Sequence, residues 1–104
     1  MVADIDRVKE EAGRYADEVR RHLPVDKAYL FGSYAKGTAD EASDIDVCFF
    51  LRDYGGRRRI DLGILLLKIA CGYESYFEPL VFETPEMDSG NPFVNEILRS
   101  GTEI

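Results

Sequence analysis

Asp44 and Asp46 stand one residue apart at the head of an apolar run, SDIDVCFFL. In an extended chain residues i and i+2 project from the same face, so the two carboxylates lie side by side and repel. A divalent cation relieves that repulsion, and Mg²⁺ in particular takes one or two carboxylates together with substrate phosphates. A solvated strand entrance, with both acids simply exposed, is the alternative this pattern leaves open. Ile45 and Val47, which alternate with them, face a core under either reading.

A place for phosphates lies just upstream. Gly32 and Ser33 follow the short apolar run KAYLF and open a turn or short helix over 33–36, where unpaired backbone N–H groups favour an anion. Glycine removes the Cβ that would block close approach, Ser33 adds a hydroxyl donor, and Lys36 brings a cation to the same place. Gly37 then releases the chain into a polar loop. A glycine-rich turn with no ligand, and a lysine that only meets water, are the plainer readings of these residues.

Positioning these groups requires a small sheet with helices against it. Ile5, Val8, Ala12, Tyr15, Val19 and Leu23 recur at helical spacing among charged residues, predicting an amphipathic helix over 4–22 that Pro24 stops. Strands are predicted at 27–31 and 45–51, a helix at 58–71, a strand at 75–82 and a short helix at 92–99 behind Pro92. Pro79 assigns the third strand to an edge, since proline cannot donate to a ladder. The order predicts an α/β (α+β) fold, a small mixed sheet flanked by helices, with residues 1–104 forming one domain.

The composition narrows the function. A formal net charge of −7 argues against long nucleic acid as a partner, because phosphate contacts need clustered Lys and Arg. The one basic run, Arg57-Arg58-Arg59, reads as a solvated loop leading into a helix. No apolar run approaches the roughly 20 residues needed to cross a bilayer, and the N-terminus lacks a signal-peptide core, so the expectation is a cytoplasmic protein with no membrane partner. Cys48 and Cys71, without a CxxC or a neighbouring histidine, read as buried free thiols, and the single histidine, His22, as a surface or structural residue. The helix at 58–71 carries too many apolar residues for one stripe (Ile60, Leu62, Ile64, Leu65, Leu66, Leu67, Ile69), which predicts a second contact. The helix is either sandwiched within the fold or touches a partner, in the latter case a second copy or another protein that completes the site.

Gly32-Ser33, ten intervening residues and then Asp44-Ile45-Asp46 resemble the signature of the nucleotidyltransferase superfamily related to DNA polymerase β, in particular its minimal nucleotidyltransferase (MNT) domains. The likeness runs through LFGSYAKG, SDIDV, the EPLVF strand and the closing NPFVNEILRSGTEI. It implies a third carboxylate on a later strand, a position matched here by Glu78, where aspartate is commoner. Glu74, Glu83 and Asp53 compete for that role or are surface acids.

The resemblance further implies a reaction. Asp44, Asp46 and Glu78 would hold one or two Mg²⁺, Gly32 and Ser33 would grip the outer phosphates of a nucleoside triphosphate, and Lys36 would meet the leaving pyrophosphate. A nucleoside monophosphate, AMP from ATP, would pass to a hydroxyl. Domains of this kind are paired with HEPN-type toxins, so the acceptor implied is a HEPN-type partner and the chain its antitoxin. Two rivals remain: a catalytically weak module of the same fold that binds nucleotide or partner by contact alone, and a small-molecule, antibiotic-type nucleotidyltransferase.

Overall fold

A computed structural model describes residues 5–32 and 44–104. The first helix, α1 (Ile5–His22), buries Val8, Ala12, Tyr15, Ala16 and Val19, one stripe at helical spacing, and turns most of its charged residues outward, Glu11 being the buried exception. Arg20, Arg21 and His22 occupy its last turn, where cations suit the negative end of the helix dipole. Pro24 ends it as expected, and β1 (Val25–Phe31) begins at once, two residues earlier than the apolar run alone indicates.

Strand β2 (Ile45–Leu51) coincides with the predicted run and pairs antiparallel with β1, Phe31 lying opposite Asp46. The chain crosses through α2 (Arg59–Ala70) to β3 (Phe77–Glu83), which lies parallel to β2. After a 3₁₀ helix (Thr84–Asp88) and α3 (Pro92–Ser100), a two-residue strand β4 (Thr102–Glu103) returns against β1. The sheet order β3-β2-β1-β4 places β3, with its Pro79, at the edge. The fold is therefore the mixed α/β sheet expected.

Two apolar cores divide along the strands. On one face Ile45, Val47, Phe49 and Leu51 of β2 pack with α1 and with Leu62, Leu66 and Ala70 of α2. Tyr15 lies at the centre of this core; its ring stacks on Phe77 with centroids 4.7 Å apart and its hydroxyl donates to the Leu66 carbonyl at 2.8 Å. The phenol is thus buried with its polar end satisfied. On the other face Cys48, Phe50 and Phe82 pack under Val94 and Ile97 of α3.

Several expectations need correcting. Cys48 is a buried thiol, but Cys71, the residue that caps the C-terminal end of α2, is exposed. The third strand starts at Phe77 and not at 75. Glu11, a buried carboxylate on α1, accepts hydrogen bonds from the Glu74 amide and the Ser75 hydroxyl and so holds that segment off the ladder. The basic run is solvated only in part. Arg59 forks onto both oxygens of Glu86 at 3.1 Å and covers the Phe82 ring at 5.1 Å, pinning the start of α2 to the 3₁₀ helix. Strand β4 rests on Gly101, where a Cβ would collide with the Ile97 carbonyl and stand 3.1 Å from that of Leu30.

Candidate active site

The face of β2 that carries Asp46 changes character along its length. Phe50 and Cys48 are sealed beneath α3, while Asp46 is half-buried and Asp44 exposed just before the strand. Helix α3 covers only the distal half of this face. Among the described residues, no helix covers the proximal half, which carries the carboxylates.

Parallel pairing sets Asp46 directly beside Glu78 of β3. Facing residues of neighbouring strands project from the same side of a sheet, so the two carboxyls are set side by side. Burial, then the charges of Glu78 and Asp44, push the Asp46 carboxyl above the ordinary carboxylate range. No ion pair among the described residues reaches Asp44, Asp46 or Glu78. Three negative groups therefore gather with no basic side chain of those residues against them.

Gly32 closes the corner from the β1 side. Its φ of +72° is open to glycine and strained for other residues, and a Cβ built there would overlap Asp46 Oδ2 and lie 3.2 Å from Cγ. The glycine of the turn is thus a steric requirement of the aspartate across the strand pair. The sequence pattern, in which Gly32 is only a phosphate-approach residue, does not contain that link.

Of the sequence candidates, Gly32, Asp46 and Glu78 come together, with Asp44 close enough to act on Asp46 by charge. Ser33 and Lys36 lie outside the described residues. Glu83 instead caps the 3₁₀ helix together with Glu86, Glu74 forms an exposed ion pair with Arg7, and Asp53 accepts from the Gly55 amide at 2.8 Å. None of these three competes for the corner. Cys48, two residues along the same face, is no nucleophile, since burial raises its thiol pKa to about 12.

No three Asp, Glu, His or Cys side chains of the described residues close into a metal-holding cluster by themselves. An in-register pair of oxygen donors, pressed together without a counter-charge, nevertheless suits the hard cation Mg²⁺, which completes its octahedron with water and phosphate. The donor set fits such an ion and not Zn²⁺, which favours sulfur and nitrogen.

Residues 13–86, spanning β1, β2, α2 and β3, match the family model of the nucleotidyltransferase domain. The chain belongs to the nucleotidyltransferase family. A relative from Methanocaldococcus jannaschii, named "Putative protein adenylyltransferase MJ0141", is 29% identical over 84 residues, which is 77% of this chain and 79% of that protein. The crystal structure of a "putative nucleotidyltransferase" from Sulfolobus solfataricus superposes with a TM-score of 0.67 at 20% identity, covering 95% of this chain and 80% of that one. The second likeness speaks to the fold of this nucleotidyltransferase and the first to its sequence. Among the described residues of the domain, no helix is long and apolar enough to cross a membrane.

One expectation about partners changes with the fold. The outward apolar residues of α2 lie beyond the core on the opposite side of the sheet from Asp46 and Glu78. A protein docked on α2 would not complete the carboxylate corner.

Proposed function

We propose that this chain transfers AMP from ATP to a hydroxyl of a partner protein. The observation that carries the reading is the in-register pair of Asp46 and Glu78 beside Gly32. The name of the Methanocaldococcus relative favours a protein as acceptor.

Asp44, Asp46 and Glu78 are the residues that would hold Mg²⁺, which when bound neutralises triphosphate charge and polarises the α-phosphoryl group. Backbone N–H groups at Gly32 and Ser33 would orient the outer phosphates and Lys36 would meet the pyrophosphate; the roles of Ser33 and Lys36 are those implied by the sequence alone. Glu78, the more exposed acid of the pair, takes the proton of the acceptor hydroxyl. The hydroxyl oxygen forms a bond to the α-phosphorus, the α–β bridging bond breaks, and pyrophosphate leaves with the bridging oxygen.

In the same reading the acceptor is a HEPN-type toxin and this chain its antitoxin. Incubation of the purified chain with magnesium, α-labelled ATP and the product of the adjacent gene should label that product with AMP. Absence of label from any of the four nucleotides would remove the transfer reading.

A contact-only module is favoured by one observation, that the described acids do not close a three-ligand cluster unaided. The Asp44→Asn, Asp46→Asn double variant separates the two. Neutralisation of the partner persists if contact suffices and is lost if transfer is required.

A further inference from the structure

Helix α2 carries two apolar stripes, and only one meets the domain. Leu62 and Leu66 are fully buried and Ala70 nearly so, whereas Ile60, Ile64 and Leu67 are 64%, 48% and 50% exposed, and Cys71 is exposed as well. The outward set recurs at spacings of four, three and four, the a/d rhythm of a helix that packs against another helix. Three large aliphatic side chains in one exposed line are a contact surface in a domain this small.

The flanks of the stripe say what covers it. Asp61 and Lys68, both exposed, lie seven residues apart on one flank, so they hold the same heptad position with opposite signs. On the other flank is Gly63, whose missing Cβ faces open space. When two identical helices pair antiparallel about a two-fold axis, like flanks meet. Asp61 of each copy then faces Lys68 of the other, twice, and the small flank lets the backbones approach. A parallel pair would set the charged flank against the Gly63 flank, which carries nothing to answer it. The internal Arg58–Asp61 pair is exposed on both sides and so is weak enough to yield.

We propose that the outward face of α2 is a self-complementary surface that joins two copies of this chain through an antiparallel α2–α2 contact centred next to Ile64. The centre follows from the charges, because positions 61 and 68 average to a point between residues 64 and 65. The contact lies across the sheet from Asp46 and Glu78, so both carboxylate corners stay open, and the dimer does not depend on the transfer reading.

The geometry makes distinct demands on two cysteines. At 1.5 Å rise per residue the two Cys71 thiols sit about 20 Å apart along the paired helices, whereas residues at 64 meet across the axis within disulfide reach. In the full chain, oxidation should cross-link Ile64→Cys and leave native Cys71 uncoupled. Sedimentation should show a dimer for the wild type. Asp61→Lys and Lys68→Asp each set like charges opposite one another and should weaken it by ~10-fold or more, and an equimolar mixture of the two variants should restore a one-to-one dimer. All substituted positions are exposed or half-exposed, and circular dichroism checks that each variant folds. A wild type that sediments as a monomer at the highest attainable concentration overturns the proposal. So does a dimer indifferent to both charge reversals, or one that cross-links through Cys71. Binding of a foreign protein to the stripe of a monomeric chain would also overturn it.

Discussion

The two faces of β2 are built from alternate residues of one seven-residue strand and have opposite fates. Ile45, Val47, Phe49 and Leu51 are sealed between the sheet and two helices, with α1 and α2 meeting over them. The face of Asp46, Cys48 and Phe50 is sealed at one end by α3 and left charged at the other. A continuous core on one side fixes the register, and with it which residue of β3 stands opposite Asp46. In the proposed reading, stability and chemistry are thus separated by one step along the chain. Changes on one face should read out as unfolding and changes on the other as lost transfer.

The largest effect expected of that separation is at Asp46. Replacement by alanine should lower AMP transfer by about 10³-fold or more in a radiolabel assay, with the circular dichroism spectrum unchanged. On the sealed face, Leu66→Ala should destabilise the fold by about 2–5 kcal/mol in urea titration while activity per folded molecule persists. If Leu66→Ala instead abolished transfer in fully folded protein, the faces would be coupled and the comparison broken. Gly32→Ala lies at the seam. Its φ of +72° and the overlap with Asp46 Oδ2 should bring ~10²-fold loss of activity together with about 1–2 kcal/mol of stability, a mixed signature neither face gives alone.

How far these faces were readable from the sequence follows from which contacts are local. The acid–apolar alternation of 44–47 is carried by adjacent residues, so β2 and the core-facing role of Ile45 and Val47 were legible, as were the amphipathic period of α1 and the edge position of Pro79. The nearness of Asp46 to Glu78 depends on a parallel register set through a crossover of twenty-five residues between β2 and β3. Local pattern carries no trace of it, and the resemblance to a known signature had to supply Glu78. Glu11 reads as one more surface acid on α1 and is instead a buried acceptor for the 74–75 backbone and side chain, a contact made between residues more than sixty apart. Two-residue β4 is too short for any period to declare it. Cys71 was misread because the helix that ends there has apolar residues all round, so periodicity could not say which stripe faced inward.

The negative corner should also leave a thermal signature. Asp46 has its carboxyl held above the ordinary value of about 3.9, so the folded chain binds that proton more tightly than the unfolded chain does. The resulting stabilisation is complete below the ordinary value and is lost as pH rises through the raised one. Near neutrality without metal, the ionised carboxylate is therefore a burden on the fold. Asp46→Asn should raise the melting temperature by a few degrees in chelator. Added magnesium should raise that of the wild type and leave the Asn variant nearly unmoved. Equal responses in the two proteins would mean that the ion binds elsewhere.

The smallest expected effect lies at the boundary between the sealed and open halves of the Asp46 face. Phe93, at the start of α3, is 49% exposed, and its ring sits edge-on to Phe31 with centroids 6.0 Å apart and tilted against Phe82 at 6.3 Å. Phe31 is the residue paired with Asp46, so the exposed ring borders the region a bound nucleotide would occupy in the proposed reaction. An aromatic surface there suits a base, and base–aromatic stacking is worth ~1–3 kcal/mol when complete. With the ring already in contact with Phe31 and Phe82, Phe93→Ala should raise KM for ATP by roughly five- to tenfold and leave kcat within about twofold. Phe93→Tyr should preserve KM, because stacking needs the ring and not its edge. If alanine lowered kcat and left KM alone, Phe93 would be acting through the position of α3, and the open half of the face would reach no farther than the carboxylates.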